Sequence, residues 1–288
     1  MPGTTQLNHW AYAGFDFNAV GLIVRTPVGP GQLPPLRGTD NPNAGIPGGL
    51  FVPKVHDTRP VTLDLWMPAN SPSAYGLGWP GVQPMLDILA TLFGDCQQHA
   101  LTVYMPDGAG APGSLYPSQG GPPTSGLTRT ANAYVSVWAP ADQNQGGELY
   151  IGTVTFILTD PYFYGTPIDT GPLSLAQQLS LPVMNPGNVA TRNIQLYFSG
   201  PVTNPTVLDA TNGLSLTLTG VAAGSGASLE VDIYRFACYI NGVLTMGAVS
   251  HAGDASFMRF DPGMNMLQIT ATTYGAGTVE IVYQPAYL

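Results

Sequence analysis

The sequence predicts a mainly β protein made of two domains, and three observations carry that prediction. Only 9% of the residues are charged, against about 25% in an ordinary soluble chain. The 288 residues include 36 Gly and 28 Pro, so turn signals recur throughout. Between those turns the apolar residues, 44% of the chain with 10% aromatic, alternate with polar ones or run together. That is enough surface to bury, and it excludes a disordered chain. The length suits two domains of ordinary size.

A first strand is expected at Ala19–Thr26, followed by about thirty residues rich in Pro, Gly and Asn, from Pro27 to Asp57. A connection of that length inside a domain is usually functional or disordered, so 27–57 is expected to be an arm or lid reaching a neighbouring surface. Its candidate contact residues are Pro27, Leu33, Leu36, Arg37, Ile46, Leu50 and Phe51. The run Arg59–Met67 then alternates Val61, Leu63 and Leu65 with Thr62, Asp64 and Trp66, the period of two of a half-buried strand. One helix is expected, at about 82–96. There Val82, Met85, Leu86, Leu89, Leu92, Phe93 and Cys96 share a face at spacings of three and four, Pro84 suits the first turn, and Gly94 marks the end. Strands follow at Leu101–Met105, Ala133–Trp138 and Leu149–Thr159, the last two joined by a polar loop holding Asn144, Gly146 and Gly147.

After Asp160-Pro161-Tyr162-Phe163-Tyr164-Gly165 comes a Pro, Gly, Ser and Gln-rich connection to Pro182. The expected organisation is therefore a first domain at 1–165, a linker at 166–182 and a second domain at 183–288. Beyond the linker only strands are legible: Arg192–Ser199, Leu214–Thr219, Leu229–Ile233, Phe236–Ile240, Val243–Met246, Met266–Thr272 and Thr278–Tyr283. Asn241-Gly242 is a two-residue hairpin signal, because both residues tolerate positive φ. Seven short strands separated by turns read as a β-sandwich.

The charge balance narrows the function. Eight basic against seventeen acidic residues give −9, with Lys54 the single lysine. No cluster of Lys and Arg exists to grip nucleic-acid phosphates. No apolar run reaches the length of a membrane span, and Met1–Trp10 has the character neither of a signal peptide nor of an anchor. Cys96 and Cys238 lie 142 positions apart, which argues against a disulfide framework, and both read as small buried apolar residues.

Catalytic motifs are weak. His9, His56, His99 and His251 are scattered, so no local metal site can be built, and no cofactor is expected. His56-Asp57 has no nucleophile motif nearby and reads as a surface or interface pair. Gly108, Gly110 and Gly113 match G-x-G-x-x-G, but the following SLYPSQGGPP cannot open the helix that a dinucleotide site needs. Glu230 and Asp232 share one strand face, the pattern of a solvated face or a hydrogen-bonded turn partner rather than a catalytic pair. Pro161, Tyr162, Phe163 and Tyr164 are candidate anchors at a domain junction or subunit contact, with a sugar-stacking platform as the rival reading.

These residues also carry a resemblance. Gly152-Thr153-Val154-Thr155-Phe156-Ile157-Leu158-Thr159-Asp160-Pro161-Tyr162-Phe163-Tyr164-Gly165 resembles the end of the N-terminal domain of distal tail proteins (Dit-like tail-tip or baseplate hub proteins) of siphoviruses, the long non-contractile-tailed bacteriophages. The second half is similar to their C-terminal domain through Asn185-Pro186-Gly187-Asn188, Gly200-Pro201 and Asn204-Pro205-Thr206. Leu229-Glu230-Val231-Asp232, Asn241-Gly242 and Asp261-Pro262-Gly263-Met264-Asn265 follow in the same order. The first third matches more loosely, through the RPVTLDLWM strand and the helix.

The resemblance implies a tail-tube-like β-sandwich with one flanking α-helix, forming a six-fold ring, and a galectin-like β-sandwich projecting from it. It implies a structural, non-enzymatic virion protein at the distal end of the tail, made in the host cytoplasm. The partners implied are copies of itself, the tail tube protein, the tail-associated hub protein and receptor-binding proteins, with DNA passing through unbound. Six copies at −9 each would carry −54, a balance that repels phosphate. Residues 1–165 hold ten acids and five bases, and residues 166–288 hold seven and three. The competing readings are a carbohydrate-binding module or adhesin using the second sandwich, and a glycan-cleaving enzyme, which needs two close carboxylates in a cleft.

Overall fold

A computed structural model describes residues 9–18, 20–28, 36–37, 41–42, 49–50, 55–68, 82–105, 127–141, 144–145, 148–219, 222–224, 226–245, 248–252 and 258–288. The protein is mainly β. It divides into two compact units, Met1–Phe163 with Leu288, and Tyr164–Tyr287.

In the first unit the strands order as Phe15–Asp16, His9–Tyr12, His99–Met105, Leu127–Pro140, Glu148–Leu158, Arg59–Pro68 and Ile23–Val28. The alternation of Arg59–Pro68 is realised as expected: Val61, Leu63 and Leu65 are fully buried while Thr62, Asp64 and Trp66 are half-buried. The two end strands of this sheet, Phe15–Asp16 and Ile23–Val28, are joined by only six residues, 17–22. Six residues span at most about 20 Å, so the sheet must curl until its edges approach. Gly21 at φ +84° and the Leu22 N–H to Phe17 O bond of 2.9 Å make that turn.

The curl encloses Trp10, Tyr12, Phe17, Leu22, Phe156 and Leu158, all at most 2% exposed. The helix Val82–Phe93 packs over them through Met85, Leu89 and Phe93. The Phe93 ring meets Trp138 at 5.0 Å, Phe156 at 6.0 Å, Phe17 at 6.1 Å and Tyr12 at 6.3 Å.

Three expectations for this unit need correction. The helix stops at Phe93 rather than near 96, because Gly94 follows and the Asp95 carboxylate accepts the Gln97 N–H at 2.9 Å, closing a turn outside the helix. Cys96, expected to be buried, sits in that turn at φ +55° and is exposed. Pro27 belongs to the strand Ile23–Val28 rather than to the arm. Proline is tolerated there because the strand lies at the sheet end, and the pairing is already shifted between Arg25 and Val28.

The second unit is a sandwich of two antiparallel sheets. One runs Ile168–Asp169, Thr278–Tyr283, Ile194–Ser199, Ser228–Asp232, Ala237–Ile240 and Val243–Leu244, with Leu173–Ser174 also on Thr278–Tyr283. The other runs Leu179–Asn185, Gly263–Thr270, Thr206–Asp209, Ser215–Leu218 and Val249–Ala252. Their inner faces share one core containing Leu196, Phe198, Val231, Phe260, Leu267, Ile269 and Ile281. The stretch 166–182, expected as a linker, supplies sheet pairs instead: Ile168 opposite Tyr283 and Leu173 opposite Val279. Its apolar residues are spaced widely among Pro and Gly, yet Leu175 is 1% exposed inside the core. Cys238 is buried there as expected, and that burial raises its thiol pKa.

Candidate functional site

The strand Glu148–Leu158 leads into the Pro161–Tyr164 run. The Asp160 carboxylate accepts the Tyr162 N–H at 3.3 Å, turning the chain after Pro161. Phe163 is 1% exposed and stands edge-on to Trp10, with ring centroids 6.4 Å apart. The Arg59 guanidinium lies 5.7 Å from the Phe163 centroid, and its Nη1 donates to the Pro161 carbonyl at 3.3 Å. Arg59 is itself 1% exposed, and burial lowers its pKa from the usual arginine value. A guanidinium keeps its proton under such a shift, so the ring and carbonyl hold a buried cation.

Arg59 was not among the residues singled out from the sequence, although a signal existed. It shares its parity with Val61, Leu63 and Leu65, which places it on the inward face. Tyr162 and Tyr164 are half-buried. Tyr164 lies in the second unit, where it meets Tyr234 edge-on at 6.5 Å. The division between the units falls between Phe163 and Tyr164. A sugar platform needs open ring faces, and Phe163 has none.

The arm candidates are described in part. Leu36 pairs with His56, and Arg37 with Val55; Leu50 pairs with Asn41. Leu33, Ile46 and Phe51 lie outside the described residues, as do Gly108, Gly110 and Gly113.

The motifs that carried the resemblance in the second unit hold turns. Asn185 is 1% exposed. Its Nδ2 donates to Val189 O at 3.2 Å and Phe260 O at 3.0 Å, and its Oδ1 accepts the Gly187 N–H at 2.9 Å. Asn265, also 1% exposed, accepts the Asp261 N–H at 2.9 Å and donates to the carbonyls of Asp261 and Gly263 at 2.8 and 3.1 Å. Asn241 and Gly242 adopt φ +49° and +77° between the paired residues Ile240 and Val243, the backbone of a two-residue hairpin. Asp232 is 3% exposed and accepts the Arg235 N–H at 3.0 Å, so it is a turn partner.

Two histidines have described side chains, and they lie in separate pairs. His9 lies 3.5 Å from Asp16, and His99 bonds Asp95. Among the described residues no three of His, Cys, Asp and Glu are placed to hold a metal ion, and no helix is long and apolar enough to cross a membrane.

Exposed apolar side chains mark one sheet of the second unit. Met184 stands opposite Met264, and Pro182 opposite Met266. The three methionines are 52%, 55% and 42% exposed. This is the adaptable side-chain chemistry that protein contacts favour, and the sequence reading passed over it.

Residues 186–287 match the family model for the siphovirus-type tail component, C-terminal domain. The solved structure of SPP1 Dit, described as a paradigm of the hub adsorption apparatus of phages that infect Gram-positive bacteria, has a similar fold. It aligns with a TM-score of 0.63 at 19% identity, over 98% of this chain and 99% of that one. A structure of the phage P2 baseplate activated with Ca aligns at a TM-score of 0.41 and 9% identity, over 96% of this chain and 98% of that one. The same baseplate activated with Sr gives 0.41 and 9%, over 96% and 97%. No curated protein matches the chain. The chain is Dit-like in fold, and its second unit matches the tail-component C-terminal domain.

Proposed function

We propose that this Dit-like chain is a structural hub of a siphovirus tail. Six copies join through their first units into a ring around an open channel. The ring links the tail tube to the tail-tip and receptor-binding parts at the distal end of the virion, and the genome passes through it. The observation that carries this reading is the tail-component match across 186–287, joined to a first unit whose curled sheet ends in the strands Phe15–Asp16 and Ile23–Val28.

The end strands of a sheet are where another chain can add, and a head-to-tail ring uses two different surfaces of each subunit. The acidic balance supports the channel role, because −9 per copy repels a passing phosphate backbone. The 29–57 segment is the arm that reaches the neighbouring subunit in this reading, supported by its length and by the paired rungs at Leu36–Arg37 and Asn41–Pro42. The role needs no catalytic residue or cofactor.

Electron microscopy and native mass measurement of the purified chain test the proposal. The expected result is a six-fold ring with a central opening and a mass of about 181 kDa, six times 30.2 kDa. Deleting 29–49 is expected to abolish the ring while the second unit keeps its fold. A monomer that turns over a substrate would overturn the reading.

A further inference from the structure

The outward face of one sheet of the second unit carries four aligned side chains of alternating chemistry. Tyr239 stands opposite Glu230, Glu230 opposite Tyr197, and Tyr197 opposite Glu280. All four are half-buried. Their neighbours along the strands, Leu196, Phe198, Leu229, Val231, Cys238, Val279 and Ile281, point into the core, which fixes the ladder outward.

Adjacent strands lie about 4.8 Å apart, so the two carboxylates flank the Tyr197 ring with about 10 Å between them. The Tyr197 hydroxyl donates to Gln195 Oε1 at 2.8 Å, holding the ring along its strand. Burial first, and then the fields of Glu230, Asp232 and Glu280, raise the phenol pKa and keep it neutral. No base stands in these rungs. The nearby Arg235 sits in the turn beyond Asp232 and is engaged with it, Nη1 to Oδ2 at 3.4 Å.

We propose that this face docks an arginine-rich segment of a protein partner. A guanidinium stacks on Tyr197 or Tyr239 and bonds the flanking Glu230 or Glu280. Charge complementarity argues for that occupant: the face is acidic and aromatic. A guanidinium offers a flat cation for the ring and a forked donor for a carboxylate, which lysine does not. A neutral sugar would strip water from two carboxylates without supplying the opposite charge. The inference goes beyond the ring role and rests on the second unit alone.

The test is fluorescence anisotropy of labelled hexa-arginine and hexa-lysine peptides with the full chain at low salt. The chain is expected to bind hexa-arginine in preference to hexa-lysine. The Glu230→Gln, Glu280→Gln double variant should weaken hexa-arginine by at least about tenfold. Tyr197→Leu, at unchanged charge, should weaken it by about threefold. The charge-matched Asp57→Asn, Asp87→Asn double variant, in the first unit, should stay within about twofold. Circular dichroism confirms that each variant is folded, and Glu280→Lys alone serves if the double variant is not. The proposal is overturned by absence of binding, by equal binding of hexa-lysine, or by an equal loss in the charge-matched control. It is also overturned if a neutral oligosaccharide occupies the ladder while the peptide does not.

Discussion

Phe163 packs edge-on against Trp10, and the Arg59 guanidinium covers the same ring, so the last aromatic side chain of the first unit closes its core. Truncating a buried phenylalanine removes its transfer energy and leaves a cavity. Phe163→Ala is therefore expected to destabilise the first unit by about 3–5 kcal/mol. Tyr164→Ala removes the edge contact with Tyr234 from a half-buried ring of the second unit, and about 1 kcal/mol is expected. Urea unfolding followed by tryptophan fluorescence reads the first unit, which holds all four Trp, and amide exchange in Ile194–Ser199 reads the second. Equal effects would mean that the two rings act together.

Gly152 follows a bulge in which the register with Arg59–Pro68 skips Ile151, between Tyr150 opposite Trp66 and Gly152 opposite Leu65. Its φ is +153°. A Cβ there would lie 2.5 Å from the Ala139 carbonyl oxygen and 2.9 Å from Trp138 Cη2. The carbonyl cannot retreat without breaking the Leu127–Pro140 pairing, and Trp138 is held by Phe93. Gly152→Ala is expected to cost about 2–5 kcal/mol. The loss should appear in thermal melts together with a changed near-ultraviolet tryptophan signal.

The strands that were legible are those that alternate in chemistry. Arg59–Pro68 shows its inward residues at every second position, and Thr278–Tyr283 was placed with its observed ends. His9–Tyr12 was missed because all four residues are buried, leaving no alternation to see. The first four residues of Leu179–Asn185 fall in the expected linker, 166–182, because Pro182 reads as a break. It is tolerated because this strand lies at the end of its sheet. The buried Arg59 and the Tyr239–Glu280 ladder depend on which residues stand opposite one another, and register is not written in any single strand.

Asn185 and Asn265 test whether the motifs that carry the resemblance are structural. Replacing Asn185 with Ala removes the side-chain partner of the Gly187 N–H and of the Val189 carbonyl, while the Phe260 carbonyl keeps the Thr191 N–H at 2.9 Å. Each buried polar group left without a partner costs about 1–3 kcal/mol. Asn185→Ala and Asn265→Ala are expected to lower the unfolding midpoint of the second unit and to speed amide exchange in Ile194–Ser199. Amide exchange in Arg59–Pro68 of the first unit should be unaffected.

Asp209 gives the second unit a pH dependence of defined sign. It is fully buried, its Oδ1 accepts the Thr211 N–H at 2.9 Å, and its pKa is raised. Burial is the main cause, and the Asp261 charge adds to it against the hydrogen bonds from Thr211. The folded pKa lies above the unfolded value of 3.8, so between the two the folded state holds a proton that the unfolded state has lost. Stability therefore falls as pH rises through that window. The penalty is complete above the folded pKa and absent below the unfolded one. Asp209→Asn keeps the acceptor for Thr211 and removes the charge. It is expected to raise the unfolding midpoint at pH 7 and to leave it unchanged at pH 3, measured by calorimetry at both values. A gain that persists at pH 3 would locate the effect in packing rather than in the buried charge.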